Sequence, residues 1–378
     1  MIDIRKFISE LRVQGIEFIT GVPDTLLNDF CLNIEESWDK DKHVIAANEG
    51  NSIGLAAGYH VSTNTIPFVY MQNSGIGNCV NPLLSLTEKN VYSIPMILLI
   101  GWRGEPGIKD HPQHTKQGEL TITSLEAMGV QCKVVENDDD KAIEDLKWAV
   151  DTARKTSHPV ALIARKGVFH KAEKSGFNKD DRYELSREDA IKVVVENVPK
   201  NTLFVASTGR STRELFEVRN ILGQSHKHDF LNVGAMGHTS SIALGLAIAN
   251  KDRLVVCIDG DSSTIMHLGA MTTMGKVSPK NLLHIVLNNG VHESVGGQKS
   301  AGQMINLTEI AKNCGYKNTL DSYIAKKQEL ITTITSFLNI DGPNFIDFHI
   351  QKGIRKDMPP LKFSHLKAKN EFMNNILK

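Results

Sequence analysis

Val255-Val-Cys-Ile-Asp-Gly-Asp-Ser-Ser-Thr264 and, after a helix-length interval, His284-Ile-Val-Leu-Asn-Asn-Gly-Val-His-Glu-Ser-Val-Gly-Gly-Gln298 decide how this chain folds. The apolar run 254–258 reads as a buried strand that empties into Gly260-Asp261-Ser262. A second apolar run, 282–287, ends in Asn288-Asn289-Gly290. Two such strands joined by a helix belong to one parallel sheet. One carboxylate and two amide oxygens are then brought to the carboxyl ends of strands, where open α/β sheets hold their ligands. Hard oxygen donors that leave positions free for phosphate and water suit Mg²⁺ or Ca²⁺ carrying a diphosphate.

The alternation continues outward from this stretch. Further strand-like runs at 203–206, 230–233 and 345–350 complete the second half. The first half shows the same pattern at 18–21, 43–46, 67–71, 95–100, 132–135 and 160–164, with helical stretches such as 51–60 and 140–156 between them. Residues 167–183, GVFHKAEKSGFNKDDRY, are polar and aperiodic and read as a linker. Ser186, with Asp189 three residues on, is placed to cap the helix that restarts the order. The expected organisation is α/β, with domains at 1–166 and 184–378, each a mainly parallel sheet with helices on both faces. The basic tail from Lys352 either packs over a subunit or trails off.

Composition narrows the function. A chain of 378 residues with a 41% hydrophobic fraction is long enough for more than one core. Lys and Arg total 43 and Asp and Glu total 43, so no net field exists to draw nucleic acid or an anionic membrane. No apolar run approaches the ~20 residues that span a bilayer. The opening MIDIRKFISELRVQG reads as an amphipathic helix and not as a signal peptide. Five scattered cysteines, Cys31, Cys79, Cys132, Cys257 and Cys314, fit a reduced cytoplasm.

Gly260-Asp261-Ser262 with Asn288-Asn289 resembles the cofactor fingerprint of thiamine-diphosphate-dependent 2-oxo-acid decarboxylases, with serine where the usual motif has glycine. The resemblance implies Mg²⁺ held by the side chains of Asp261 and Asn289 and by the Val291 carbonyl. In Asn232-Val-Gly-Ala-Met-Gly-His238 it implies that Met236 wedges under thiamine diphosphate and that the Gly234 carbonyl accepts from its amino group. Ala46-Ala-Asn-Glu49-Gly resembles the family's activating glutamate at the head of a small-residue helix. A glutamate in an apolar setting, its pKa raised by desolvation, can share a proton with the cofactor's pyrimidine ring. The loop Asn73-Ser-Gly75-Ile-Gly-Asn78 is expected to approach the cofactor through its backbone. The implied fold is two thiamine-diphosphate-binding domains, pyrimidine-binding then diphosphate-binding, with no middle domain. The family's sites lie between subunits, so a homodimer or larger is implied.

Substrate signals lie in Gly21-Val-Pro-Asp24-Thr25, in Gly101-Trp-Arg103…Asp-His111-Pro-Gln-His114, and in the stretch after Asn289. They are similar to the family branch acting on 3-phosphonopyruvate, with the sulfopyruvate enzymes close by. The expected activity is decarboxylation of 3-phosphonopyruvate to phosphonoacetaldehyde and CO₂. The rivals are sulfopyruvate or another 2-oxo acid, a carboligase or partner-dependent two-carbon transfer component, and a scaffold without catalysis. A small 2-oxo acid with a second anionic group calls for cationic donors, for which Arg103, Arg210, Arg213 and Lys299 are the candidates. His292, His114 and His111 are the candidates for protonating the carbanion, in that order. Asp24 and Thr25 stand where relatives place polar active-site residues.

Overall fold

The computed structural model describes residues 1–170, 182–359 and 363–377. The chain divides into two compact units, Met1–Ser175 and Gly176–Lys378. In the first unit the strands are β1 (Ile19–Gly21), β2 (His43–Ile45), β3 (Phe68–Gln72), β4 (Ile97–Gly101), β5 (Gln131–Val134) and β6 (Val160–Ala164). They form one sheet of order β2-β1-β3-β4-β6-β5, paired in parallel throughout. Central β6, Val-Ala-Leu-Ile-Ala, is buried at every position, as a strand covered on both faces must be. Edge strand β5 alternates exposed and half-buried residues instead.

The sheet buries one apolar layer on each face. Phe7, Phe30, Phe68, Tyr70 and Leu162 lie in one, and Ile53, Val69, Leu98, Ile100 and Ile163 in the other. Each large side chain so buried contributes roughly 1.5–3 kcal/mol. The opening segment forms the expected amphipathic helix, Ile4–Val13, which buries Ile4, Phe7, Ile8 and Leu11 and is capped by Asp3.

The second unit carries β7 (Leu203–Ala206), β8 (Asp229–Leu231), β9 (Val255–Gly260), β10 (Leu282–Asn288) and β11 (Asn344–His349) in the order β11-β10-β9-β7-β8, again all parallel. Leu287 pairs with Gly260, so Asn288 and Asp261 follow at neighbouring strand ends. Ser186 caps helix Arg187–Glu196 by accepting from the Asp189 amide, as its spacing predicts.

Three expectations need correction. The strand expected at 230–233 runs one residue earlier and ends at Leu231, because the Thr212 hydroxyl captures the Asn232 carbonyl. The linker expected from 167 begins inside the first core: Val168 and Phe169 are buried, and Phe169 sits edge-on to Phe7. Most of that linker, 171–181, lies outside the described residues. The basic tail folds back on its own unit. Gln351 donates to the Tyr183 carbonyl, and Phe372 of helix His365–Ile376 packs edge-on against Phe230.

In both sheets the chain reverses its direction of travel across the sheet. The reversal falls between β1 and β3 in the first and between β7 and β9 in the second. Such points open a crevice at the carboxyl ends of the strands.

Candidate active site

At the first crevice, β2 feeds helix Glu49–Thr63, whose N-cap Asn48 accepts from the Asn51 amide. The helix is rich in glycine and alanine, so its first turn can sit close to its neighbours. Glu49 is only 6% exposed. The Asn78 side-chain amide donates to its Oε2 at 2.7 Å. Burial raises the Glu49 pKa, against the opposing pull of that hydrogen bond. Gly75 leaves the space this carboxyl fills, since a Cβ there would lie 2.5 Å from the carboxyl carbon. The structure thus brings Glu49 and Gly75 together and adds Asn78, whose side chain sequence reasoning left unassigned; the expected loop 73–78 is a 3-10 turn, Asn73–Gly75, running into helix Ile76–Ser85, which carries Asn78 in its first turn.

Asp24, after β1, is fully buried and pushed up to about 6, burial outweighing the nearby Arg103 charge. Its Oδ2 accepts from the Leu26 amide at 3.2 Å, while Oδ1 is buried with no hydrogen-bond partner among the described residues. A Cβ at Gly101 would collide with this carboxylate. Thr25 is exposed. Arg103 does not offer an open fork: Nε and Nη2 bind Asp110 at 2.7 and 2.6 Å. That pairing holds the Asp110 carboxyl well below the usual range. Asn73 clamps the Arg103 backbone at both its amide and its carbonyl. His114 is half-buried, with an unpartnered Nδ1 and a pKa lowered by burial and by Arg103. His111 is exposed at the cap of helix Pro112–Ala127.

The second crevice is built from β9 and β10. Asp261 is 3% exposed, and burial pushes it up to about 6. Ser300 Oγ donates to its Oδ2, and among the described residues no cationic side chain pairs with it. Asn288 is tied into the structure, donating to the Gly302 carbonyl at 2.8 Å and accepting from the Gly290 amide. Gly302 also lies against Asp261, where a Cβ would not fit. Asn289 is 4% exposed; its Nδ2 donates to Glu293 at 3.0 Å and its Oδ1 accepts from the Val291 amide at 3.1 Å. Beyond it, His292 donates to the Gln298 carbonyl and Ser300 to that of Gly290, closing a loop whose ladder does not use the Val291 carbonyl.

This donor set fits a divalent cation bearing a diphosphate. Among the described residues Asp261 is a buried carboxylate without a counter-charge, and Ser262 Oγ, next to it in the chain, is buried without a partner. Gly260 ends β9 in extended backbone. Gly234 and Met236 are half-buried in the loop before helix Thr239–Ala249, so Met236 is not a sealed core methionine. Ala235 and Gly237 in that loop take φ of 50° and 86°, conformations that persist where surroundings hold them.

The cations expected at the substrate sort differently. Lys299 is exposed, and Arg213 is partly buried. Among the described residues Arg210 has a buried Nε without a hydrogen-bond partner, beside the Arg187, Glu214 and Glu293 charges. His292 is pushed down to about 4 by burial, so it is neutral near pH 7. Sequence reasoning missed Glu293, although it stands inside the quoted stretch. Its partner Arg187, and Glu214, which Arg187 also binds, come from distant helices, and no local spacing announces them.

The family of thiamine pyrophosphate enzymes, thiamine pyrophosphate being thiamine diphosphate, matches twice. Its N-terminal cofactor-binding domain matches residues 5–125 and its C-terminal cofactor-binding domain residues 207–348. A phosphonopyruvate decarboxylase of Streptomyces viridochromogenes is 30% identical over 371 residues, covering 93% of this chain and 89% of the relative. The chain belongs to the thiamine-diphosphate-dependent decarboxylases. A sulfopyruvate decarboxylase of Methanosarcina acetivorans is 25% identical over 396 residues, covering 98% and 97% of the two chains. The sulfopyruvate decarboxylase subunit beta of Methanocaldococcus jannaschii is 41% identical over 130 residues, 34% of this chain and 66% of that subunit. The first matched domain contains Asp24, Glu49, Gly75 and Arg103, and the second contains Asp261 and Asn289. As a decarboxylase of this family the chain binds thiamine diphosphate. Among the described residues no helix is long and apolar enough to cross a membrane.

Proposed function

We propose that this decarboxylase acts on 3-phosphonopyruvate, with Mg²⁺, to give phosphonoacetaldehyde and CO₂. The observation that carries the chemistry is the buried Glu49 carboxyl, raised in pKa and held by Asn78 against Gly75. It is the acid that a pyrimidine ring needs as its proton partner. Thiamine diphosphate supplies the electron sink that accepts the bonding pair when CO₂ leaves. Asp261, Asn289 and the Val291 carbonyl would hold Mg²⁺, and Ser262 and Gly260 would serve the diphosphate. Gly234 and Met236 would support the thiamine rings. A homodimer or larger follows, each site using the N-terminal unit of one copy and the C-terminal unit of another.

Asp24 is the proton donor best supported by the surroundings. A carboxyl near pKa 6 with a free oxygen can release a proton near neutral pH, whereas His292, neutral above about 4, is a poor acid. Arg210, with its unpartnered Nε, leads Arg213 and Lys299 for the phosphonate, because Arg103 is committed to Asp110. The similarity to the Streptomyces relative over 93% of the chain favours phosphonopyruvate, and the Methanosarcina relative makes sulfopyruvate the rival.

A substrate panel decides between them. With thiamine diphosphate and Mg²⁺ present, kcat/KM from CO₂ release is expected to be highest for phosphonopyruvate, then sulfopyruvate, then pyruvate. A larger value on sulfopyruvate overturns the substrate. Failure to detect free aldehyde with a coupled reductase overturns simple decarboxylation in favour of carboligation.

A further inference from the structure

Asn289 has one side-chain atom able to ligate a cation and one unable to. A carboxamide turned the wrong way presents N–H to the metal and abolishes the contact. Something must therefore fix the amide before any ion arrives. The Glu293 carboxylate accepts from Asn289 Nδ2 at 3.0 Å, and the Val291 amide donates to Oδ1 at 3.1 Å. Reversing the amide would set Oδ1 against the carboxylate and Nδ2 against an N–H, losing both bonds. With Nδ2 engaged, Oδ1 keeps a second lone pair for a cation.

Glu293 is itself held. Arg187 Nη1 donates to its Oε2 at 2.7 Å, and the Gly353 amide donates to Oε1. Arg187 is 6% exposed and divides its guanidinium between Glu293 and Glu214, binding the latter at 2.6 and 3.1 Å. Glu214 is 1% exposed. A buried ion pair is weak evidence for stability, because desolvation offsets attraction. Here the network ends on a single amide beside the candidate metal, which gives it a different use. Ligands to metals are characteristically oriented by such outer hydrogen bonds.

The geometry points to Glu293 as a positioning residue that sets the Asn289 carboxamide for Mg²⁺, braced by Arg187 and Glu214. This inference rests on the proposed reading of Asn289 as a metal ligand. It adds that affinity for the ion depends on a side chain that does not touch it.

The test is an Mg²⁺ titration of the full chain with saturating thiamine diphosphate, followed by calorimetry, with Tm measured alongside. Glu293→Gln loses the acceptor-only character of the carboxylate. Glu293→Asp keeps the charge for Arg187 but draws the oxygens away from Asn289, which covers the case where Glu293→Gln folds poorly. Both are expected to weaken Mg²⁺ binding by about 10–100-fold. In an Asn289→Asp background either oxygen can ligate, so the same substitutions should then change Mg²⁺ affinity by no more than about 2-fold. Equal losses in both backgrounds, or a lower Tm with unchanged Mg²⁺ affinity, overturn the positioning role. If Asn289→Ala weakens Mg²⁺ binding but the Glu293 variants do not, the inference fails and the metal reading stands. If Asn289→Ala leaves Mg²⁺ binding unchanged, both fail.

Discussion

Glu49 and Asp261 are acids of the same kind in matching places. Each follows a parallel strand, heads a helix and is almost fully buried. Burial raises the pKa of both. What differs is the company. Glu49 meets a neutral amide, Asn78, and the empty side of Gly75, a setting that favours a proton held and passed on. Asp261 meets hydroxyls, Ser300 donating to it and Ser262 standing next to it in the chain, a setting that favours a cation. The architecture supplies a buried carboxyl after a strand, and in the proposed reading its neighbours decide whether that carboxyl handles protons or metal.

That contrast can be broken from either side. Glu49→Gln should lower kcat by about 10²–10⁴ while leaving Mg²⁺ and thiamine diphosphate affinity near wild type. Unchanged turnover would remove the proton role. Asp261→Asn should act through binding instead, abolishing calorimetric Mg²⁺ binding and CO₂ release with it. Removal of Mg²⁺ by chelator from the wild type should likewise stop CO₂ release, and activity that persists would count against the metal role. Gly75→Ala offers a milder probe. Its methyl displaces the Glu49 carboxyl, and a displacement of about 1 Å should cost roughly 10²-fold in kcat. Activity equal to wild type would show that the close approach does not matter.

Asp24 yields the smallest expected effect, in stability. Its pKa rises from 3.8 to about 6 on folding, so the folded chain holds the proton longer than the unfolded chain. Between pH 4 and 6 the unfolded state binds fewer protons, and stability falls as pH rises through that window. Asp24→Asn removes this loss, so above pH 6 it should stabilise the chain by on the order of 3 kcal/mol, with the difference vanishing below about pH 4. Denaturant midpoints at pH 4 and 7 measure it, and a gain that does not depend on pH would contradict the raised pKa.

The strands were readable because buried parallel strands are continuous apolar runs. All eleven appear within two residues or so of their expected limits, since β6 and β10 leave no alternative pattern. The placement of Glu49, Asp261 and Asn289 beyond strand ends was legible because each follows such a run. The edges were less so: β8 stops early for a bond from Thr212, which no local pattern encodes. Side-chain engagement was not legible at all. Arg103 looked available until Asp110 closed on it, and His292 looked like an acid until burial lowered its pKa. Arg187 reaches Glu293 across 106 positions of sequence, a distance over which spacing carries no signal.

The central claim is that these two carboxyls serve one catalytic centre made by different copies of the chain. Glu49→Gln and Asp261→Asn chains, each inactive alone, can be given different tags, coexpressed and purified as mixed dimers. One site of each mixed dimer then carries both substitutions and the other carries neither. The account predicts recovery of roughly half the wild-type CO₂ release per dimer, as two-fold symmetry requires. Mixed dimers as inactive as their parents would contradict it.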